Sequence, residues 1–413
     1  MVDAAGATGA DVTPAGLLER LRPLPLDGND VVLLESGAQF FPSLVAAIES
    51  AHREVWLETY IFAADETGRR VAGALARAAE RGADVRLMID GFGTGELDAG
   101  IASRLAEAGV QVSVYAPMRR LFTLDRERLR RLHRKLACID RRIAFVGGLN
   151  VLDDFWDPNH GALEHPRLDY AVRVGGPLVG GVHAAMARLW RQVELARAPL
   201  RFGRSRPPEP SVPGVLPPSA GRVRAALVLR DNLVHRRSIE RAYLQAIGQA
   251  RREVLIANAY FFPGRRFRRA LREAAARGVK VRLLLQGRAE YVLPFLATRA
   301  LYDGLLQAGV EIVEYHRSFL HAKVAVIDDW ATVGSSNIDP FSLLLAREAN
   351  VLVFDPEFAA TLRERVLASM AEGGRPVRAD EHARRSWLQR LRGGFATWML
   401  RLGVRVSGYR QRY

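Results

Sequence analysis

Short apolar runs alternate with amphipathic stretches along most of the chain. VWLETYIF, VRLMID and QVSVY are compact runs of the strand type, all between Val55 and Tyr115. Between the first two lies GRRVAGALARAAERG, whose apolar positions recur at helical spacing and which stops at Gly82. Strands separated by helices predict a parallel-rich sheet covered on both faces.

The pattern then repeats. Ala51–Phe62 (AHREVWLETYIF) answers Ala250–Phe262 (ARREVLIANAYFF), and Arg81–Gly91 answers Arg277–Gly287. Leu105–Tyr115 answers Leu305–Tyr315, and His133–Asn150 answers His321–Asn337. Four matched blocks in one order imply a duplicated unit of roughly 180 residues. The expected fold class is therefore α/β: two pseudo-twofold-related α/β/α domains with mixed, mostly parallel sheets. Seven of the 20 prolines fall in Pro199–Pro218 and predict an extended linker. The expected boundaries are a flexible N-terminus over 1–27, a first domain over 28–198, a linker over 199–221, a second domain over 222–380 and a tail over 381–413. The halves differ in one place. Tyr115 and His133 lie 18 residues apart, Tyr315 and His321 only six. The extra residues fall in the basic stretch APMRRLFTLDRERLRR, either a solvated helix or loop or a contact for anionic lipid.

Composition narrows the classes. At 413 residues and 49% hydrophobic the chain is not a disordered polymer. No uncharged apolar stretch approaches the 20 or so residues a spanning helix takes. The start, Met1–Pro14, has no basic segment followed by an apolar one, as a secretory signal would. The single cysteine, Cys138, excludes a disulfide framework and a cysteine-based zinc site. The net charge of +15 attracts polyanions, either nucleic acid or an anionic membrane. Of 60 basic residues only Lys135, Lys280 and Lys323 are lysines, so a retained lysine marks a place for a compact ammonium.

Two of those lysines stand two residues after a histidine. Each half carries His-x-Lys, four residues, then Asp: His133, Lys135, Asp140 and His321, Lys323, Asp328. Each runs on through a small-residue turn to an asparagine, Gly147-Gly148-Leu149-Asn150 and Gly334-Ser335-Ser336-Asn337. Residues i and i+2 of a strand share a face, so each His and Lys point the same way and the hairpin returns Asn beside them. Brought together, two imidazoles, two ammoniums and two amides suit a phosphodiester. Lysines and asparagines, with Ser335, meet the phosphate oxygens, one imidazole attacks phosphorus and the other protonates the leaving alkoxide. The lysines supply positive charge and would repel a cation beside the histidines, so no metal or cofactor is expected. Asp140 and Asp328 are either part of this machinery or turn residues.

The paired motifs resemble the HKD signature of the phospholipase D superfamily, over about Val31–Pro356. The resemblance implies a phosphohistidine intermediate and an acidic residue after each motif that orients an imidazole. Asp169 and Glu348 stand at the matching positions, with their partners left open. Gly148 departs from the Gly-Ser-x-Asn pattern that Ser335 fulfils. Within the superfamily, FVGGLNV, LDYAVRVGGPLV and WATVGSSNIDP resemble bacterial cardiolipin synthases, most closely the B type, which lacks N-terminal membrane spans. That implies a phosphatidyltransferase joining two phosphatidylglycerols with release of glycerol. It also implies phosphatidylglycerol and other anionic phospholipids as partners, with no obligatory protein partner, at the cytoplasmic face of the bacterial inner membrane. His133 is expected as nucleophile and His321 as acid/base. A phospholipase-type hydrolase, or a phosphodiesterase or nuclease using the same site, is the alternative. Nucleic acid is disfavoured by the tail, where Trp387, Leu391, Phe395, Trp398 and Leu402 form one helical stripe among eight arginines and no acids from Arg384 to Arg412. Gly393-Gly394 weakens any continuous helix there.

Overall fold

A computed structural model describes residues 24–117, 131–157, 159–197, 221–231, 235–340, 342 and 346–406. The N-terminal segment as far as residue 23, the basic insertion before Arg131 and the linker over 198–220 lie outside the described residues.

The first lobe runs β1 (Leu26–Glu35), α1 (Ser36–Glu49), β2 (Glu54–Thr59), α2 (Glu66–Glu80), β3 (Asp84–Asp90), α3 (Ala99–Glu107), β4 (Gln111–Tyr115), β5 (Lys135–Ile139), β6 (Ile143–Gly147), β7 (Trp156–Asp157), β8 (Gly161–Ala162), β9 (Tyr170–Gly175) and α4 (Leu178–Arg197). The second lobe repeats that plan with β10 (Val223–Arg230), α5 (Ser238–Gln249), β11 (Glu253–Asn258), α6 (Arg265–Ala276), β12 (Lys280–Gln286), α7 (Val292–Arg299), α8 (Tyr302–Leu306), β13 (Glu311–Tyr315), β14 (Lys323–Ile327), β15 (Trp330–Gly334), β16 (Glu348–Phe354), α9 (Pro356–Gly373) and β17 (Gly374–Pro376). Two helices follow, α10 (Ala379–Ala383) and α11 (Trp387–Val406).

The α/β class and the repeat are as expected, and the sheet is mixed. Its expected bias is corrected: parallel pairing is confined to β2-β3-β4 and β11-β12-β13, and every other described ladder of the large sheet is antiparallel. The reason is the length of the connections. Helical crossovers join the parallel strands, whereas β5-β6 and β14-β15 are hairpins whose tight turns force reversal. Asp140, Arg141 and Asp328 take positive φ in those turns.

One continuous order, β17-β13-β12-β11-β14-β15-β16-β10-β1-β9-β6-β5-β2-β3-β4, joins the lobes through β1 and β10. Helices α1 to α3 cover one face of the first lobe, with Leu44, Val71, Leu75 and Leu105 in its core. Helices α5, α6 and α8 do the same in the second, through Tyr243, Phe267 and Leu305. Between the lobes, Val182 and Met186 of α4 pack with Phe358 and Leu362 of α9 and with strands of both lobes. This shared core clamps the lobes together, so the ends of β5 and β14 face the same seam.

Buried polarity differs between the halves. Arg134, the middle residue of the first His-x-Lys, forks onto Glu58 at 2.5 and 2.8 Å, and both are buried. The matching pair in the second lobe is Ala322 and Ala257, also buried. Removing one member of a buried ion pair strands the other charge. Arg134→Ala should therefore lose roughly 3–5 kcal/mol of stability. The double variant Arg134→Ala/Glu58→Ala, which copies the second lobe, should recover much of it. Chemical denaturation of the three proteins measures both.

Candidate active site

The two motif segments are held by the opposite lobe. Leu132 bridges Arg347 in parallel, with His133 N–H donating to the Arg347 carbonyl at 3.1 Å. Leu320 bridges Leu168 in the same way, with His321 N–H donating to the Leu168 carbonyl at 2.8 Å. Arg347 precedes Glu348, and Leu168 precedes Asp169. Each histidine is thus tied by its backbone to the strand that carries the other lobe's acid.

The side chains follow. His133 Nδ1 lies 3.0 Å from Glu348, and His321 Nδ1 lies 2.6 Å from Asp169. The pairing left open in the sequence is crossed. It leaves Nε2 of each ring for chemistry. Lys135 Nζ donates to the His133 carbonyl at 2.6 Å, and Lys323 Nζ donates to the His321 carbonyl. Lys323 also lies 3.5 Å from Asp169. Both lysines and both acids are buried.

Burial sets the electrostatics. Desolvation disfavours imidazolium and pulls His133 down, although Glu348 opposes this. His321 falls well below the usual value, through burial and the charge of Lys323. Burial lowers Lys135 to about 7 and Lys323 to about 8. Asp169 is pushed up by burial against the pull of Lys323. Burial also pushes on Glu348, but His133, Lys135 and Ser335 outweigh it and hold this carboxyl low.

Not every expected residue is at the imidazoles. Asp140 accepts backbone N–H groups of His52, Arg53 and Glu54 at 2.8–2.9 Å, and Asp328 accepts those of Arg251, Arg252 and Glu253 at 2.9–3.0 Å. Each sits at the far end of its strand, about 17 Å from the lysine. Of the two readings left open for them, these contacts are those of turn residues: each aspartate fastens its turn to the neighbouring strand rather than reaching the imidazoles. Ser335, expected on phosphate, is fully buried and donates to Glu348 at 2.5 Å. The departure at Gly148 has a steric cause, since a Cβ there would collide with the Asp169 carboxylate. Asn150 accepts Ile61 N–H at 3.2 Å, which leaves its amide end for an anion. Asn337 lines a cavity with His133. Among the described residues no cluster of three or more His, Cys, Asp or Glu could hold a metal. Cys138 is buried in the core, its thiol pushed up to about 12.

Sequence reasoning missed that cavity. It measures about 310 Å³ and is walled largely by apolar groups, among them Phe92, Phe261, Phe262, Pro294 and Leu400. It also missed Tyr60, whose ring centroid lies 5.0 Å from that of His133 and 5.4 Å from Lys135 Nζ. Tyr60 directly follows the C-terminal end of β2, where α/β sheets gather their sites, and that position was a usable signal.

Comparison with known proteins gives the family and the fold. The chain matches the family described as "Cardiolipin synthase, PLD-like domain" over residues 44–163 and 243–369. It is 40% identical to cardiolipin synthase B of Escherichia coli (strain K12), over 91% of this chain and 88% of that protein. It is 30% identical to cardiolipin synthase A of Pseudomonas putida (strain W619), over 89% and 73%. Among solved structures it is similar in fold to a phosphatidylserine synthase of Haemophilus influenzae Rd KW20, with a TM-score of 0.62, 13% identity and coverage of 95% and 97%.

The lysine shifts carry a sign. Both ammoniums are present below pH 7 and discharge in the protein alone as pH rises through 7 to 8. A soluble phosphodiester should therefore bind more weakly through that range and take up protons on binding near pH 8. Calorimetry in buffers of different ionisation enthalpy measures both effects.

Proposed function

The chain belongs to the cardiolipin synthase, phospholipase D-like family, and on that premise we propose that it joins two phosphatidylglycerols into cardiolipin with release of glycerol. It is a phosphatidyltransferase working through a covalent phosphohistidine. The observation that carries this reading is the crossed pairing of two imidazoles with two buried carboxylates, beside two buried ammoniums, at one seam.

His133 Nε2 attacks the phosphorus of the first lipid and the bond to the glycerol oxygen breaks. The Asp169–His321 pair gives that oxygen its proton. His321 then takes the proton of a primary hydroxyl on a second phosphatidylglycerol. The resulting alkoxide attacks phosphorus, and the P–N bond breaks with its electron pair returning to His133. This division of roles follows the acids. Glu348 is held low and ionised, so His133 donates Nδ1–H to it and keeps a lone pair on Nε2. Asp169 is pushed up by burial while His321 is held well down, so a proton kept by this pair rests on the carboxyl and reaches the leaving oxygen through the ring. Lys135, Lys323, Asn150 and Asn337 meet the charge that grows on the non-bridging oxygens.

No described helix is long and apolar enough to cross a membrane. Contact with the bilayer falls instead to α11, which is continuous through both glycines. Gly393, Ala396 and Leu400 face inward, and Gly393 lets the helix approach Ala300 closely. Trp387, Leu391, Phe395 and Trp398 face outward, all at least 56% exposed. Leu400 also walls the cavity beside His133, so the lipid-facing helix and the site are contiguous. This supports peripheral binding to an anionic leaflet, with the cavity open to lipid rather than water.

Labelled phosphatidylglycerol in mixed micelles tests the reading. Cardiolipin should form, and His133→Ala or His321→Ala should reduce it by roughly a thousandfold or more. Phosphatidic acid as the sole product would make the protein a hydrolase. Acid-labile phosphate should be trapped on His133, and trapping on His321 alone would exchange the two roles. Replacing Trp387, Leu391, Phe395 and Trp398 by Ser leaves the packed face of α11 intact. That variant should lose its binding to anionic vesicles in a flotation assay.

A further inference from the structure

The reaction proposed above brings two lipids together, and each carries its own phosphodiester. Lys135 and Lys323 stand beside the imidazoles, at the phosphorus that reacts. The acceptor's phosphate stays intact, one glycerol's length away, and takes a full negative charge into a largely apolar cavity. An anion left unmatched there is costly.

Arg131 is a cation in that cavity, on the same wall as His133. The bridge at Leu132 makes this segment extended, with Leu132 fully buried, so Arg131 and His133 share the opposite face. Their Cα atoms are about 7 Å apart by strand geometry. Both line the 310 Å³ cavity. The Arg131 guanidinium stacks on the Phe92 ring at 4.4 Å, an arrangement that leaves its N–H edge for a planar fork. Among the described residues no carboxylate forms an ion pair with it. Asp90, whose charge it feels, is occupied by the backbone N–H groups of Leu132, Phe92 and Gly93 at 2.7–3.1 Å. Asp339, the cavity's own acid, accepts Ser342 N–H at 3.1 Å. The second lobe has no counterpart, because the equivalent residue is Phe319, packed 4.9 Å from the His160 ring.

We propose that Arg131 binds the intact phosphodiester of the acceptor lipid, and so selects a phosphatidylglycerol over a small alcohol as the group that resolves the phosphatidyl-enzyme. The inference rests on the transferase reading. It places donor and acceptor phosphates at different cations.

Two reactions of one preparation test it. Cardiolipin formation uses an acceptor that carries a phosphate, whereas exchange of radiolabelled glycerol into phosphatidylglycerol uses one that does not. Both pass through the same phosphatidyl-enzyme. Arg131→Met should lower the ratio of cardiolipin formation to glycerol exchange by about tenfold or more, the scale of one charge-assisted contact. The loss should appear chiefly as a raised KM for the acceptor, and Arg131→Lys should recover part of it. A ratio unchanged in Arg131→Met, whether both rates fall together or neither does, overturns the proposal. Because the ratio is internal to each sample, partial misfolding cancels. Wild-type protein that forms no cardiolipin and exchanges no glycerol would instead overturn the transferase reading, and this inference with it.

Discussion

Two imidazoles, each paired with a buried carboxylate of the other lobe, are the constraint around which the rest of the chain is arranged. Neither lobe alone contains a complete pair, since His133 depends on Glu348 and His321 on Asp169. Burying such groups with two lysines is expensive unless each charge meets its partner at hydrogen-bond distance. The fold meets that requirement with backbone. The bridges Leu132–Arg347 and Leu168–Leu320 fix the backbone of each histidine against the segment bearing its acid. The shared core of α4 and α9 then keeps the lobes from sliding past one another.

Once the seam is fixed, the halves are free to diverge wherever the local packing permits. Ser335 reaches Glu348, while Gly148 clears room for the carboxylate of Asp169. Arg134 and Glu58 form a buried ion pair where the second lobe has two alanines. Arg131 stands in the cavity where the second lobe has Phe319. A symmetric frame thus carries an asymmetric site. That suits a two-step transfer in which the two imidazoles have different tasks and the two lipids different positions.

The same seam explains how transfer can compete with hydrolysis. His133 opens on a cavity walled by Phe92, Phe261, Phe262 and Leu400, and Leu400 belongs to a helix whose opposite face is aromatic and exposed. A low-dielectric wall strengthens each interaction with phosphate. It also makes a lipid hydroxyl a better-placed nucleophile than bulk water.

Much of this was legible in the residues alone. The duplication, the α/β class, the two His-x-Lys hairpins and the chemistry they suit all follow from patterns a few residues long, because strand alternation and turn chemistry are local. The outward stripe of α11 was legible for the same reason, whereas the two glycines misled, since tight packing against Ala300 gives Gly393 a use inside a helix. The parallel bias was misjudged because only the helix-linked strands entered that reading. What the tertiary structure alone decided is which groups meet. The crossed pairs join residues 215 and 152 positions apart, the turn aspartates lie a strand's length from the chemistry, and Ser335 turns from phosphate to carboxylate. No local signal encodes such contacts, because they arise only where the two lobes join edge to edge around a common core.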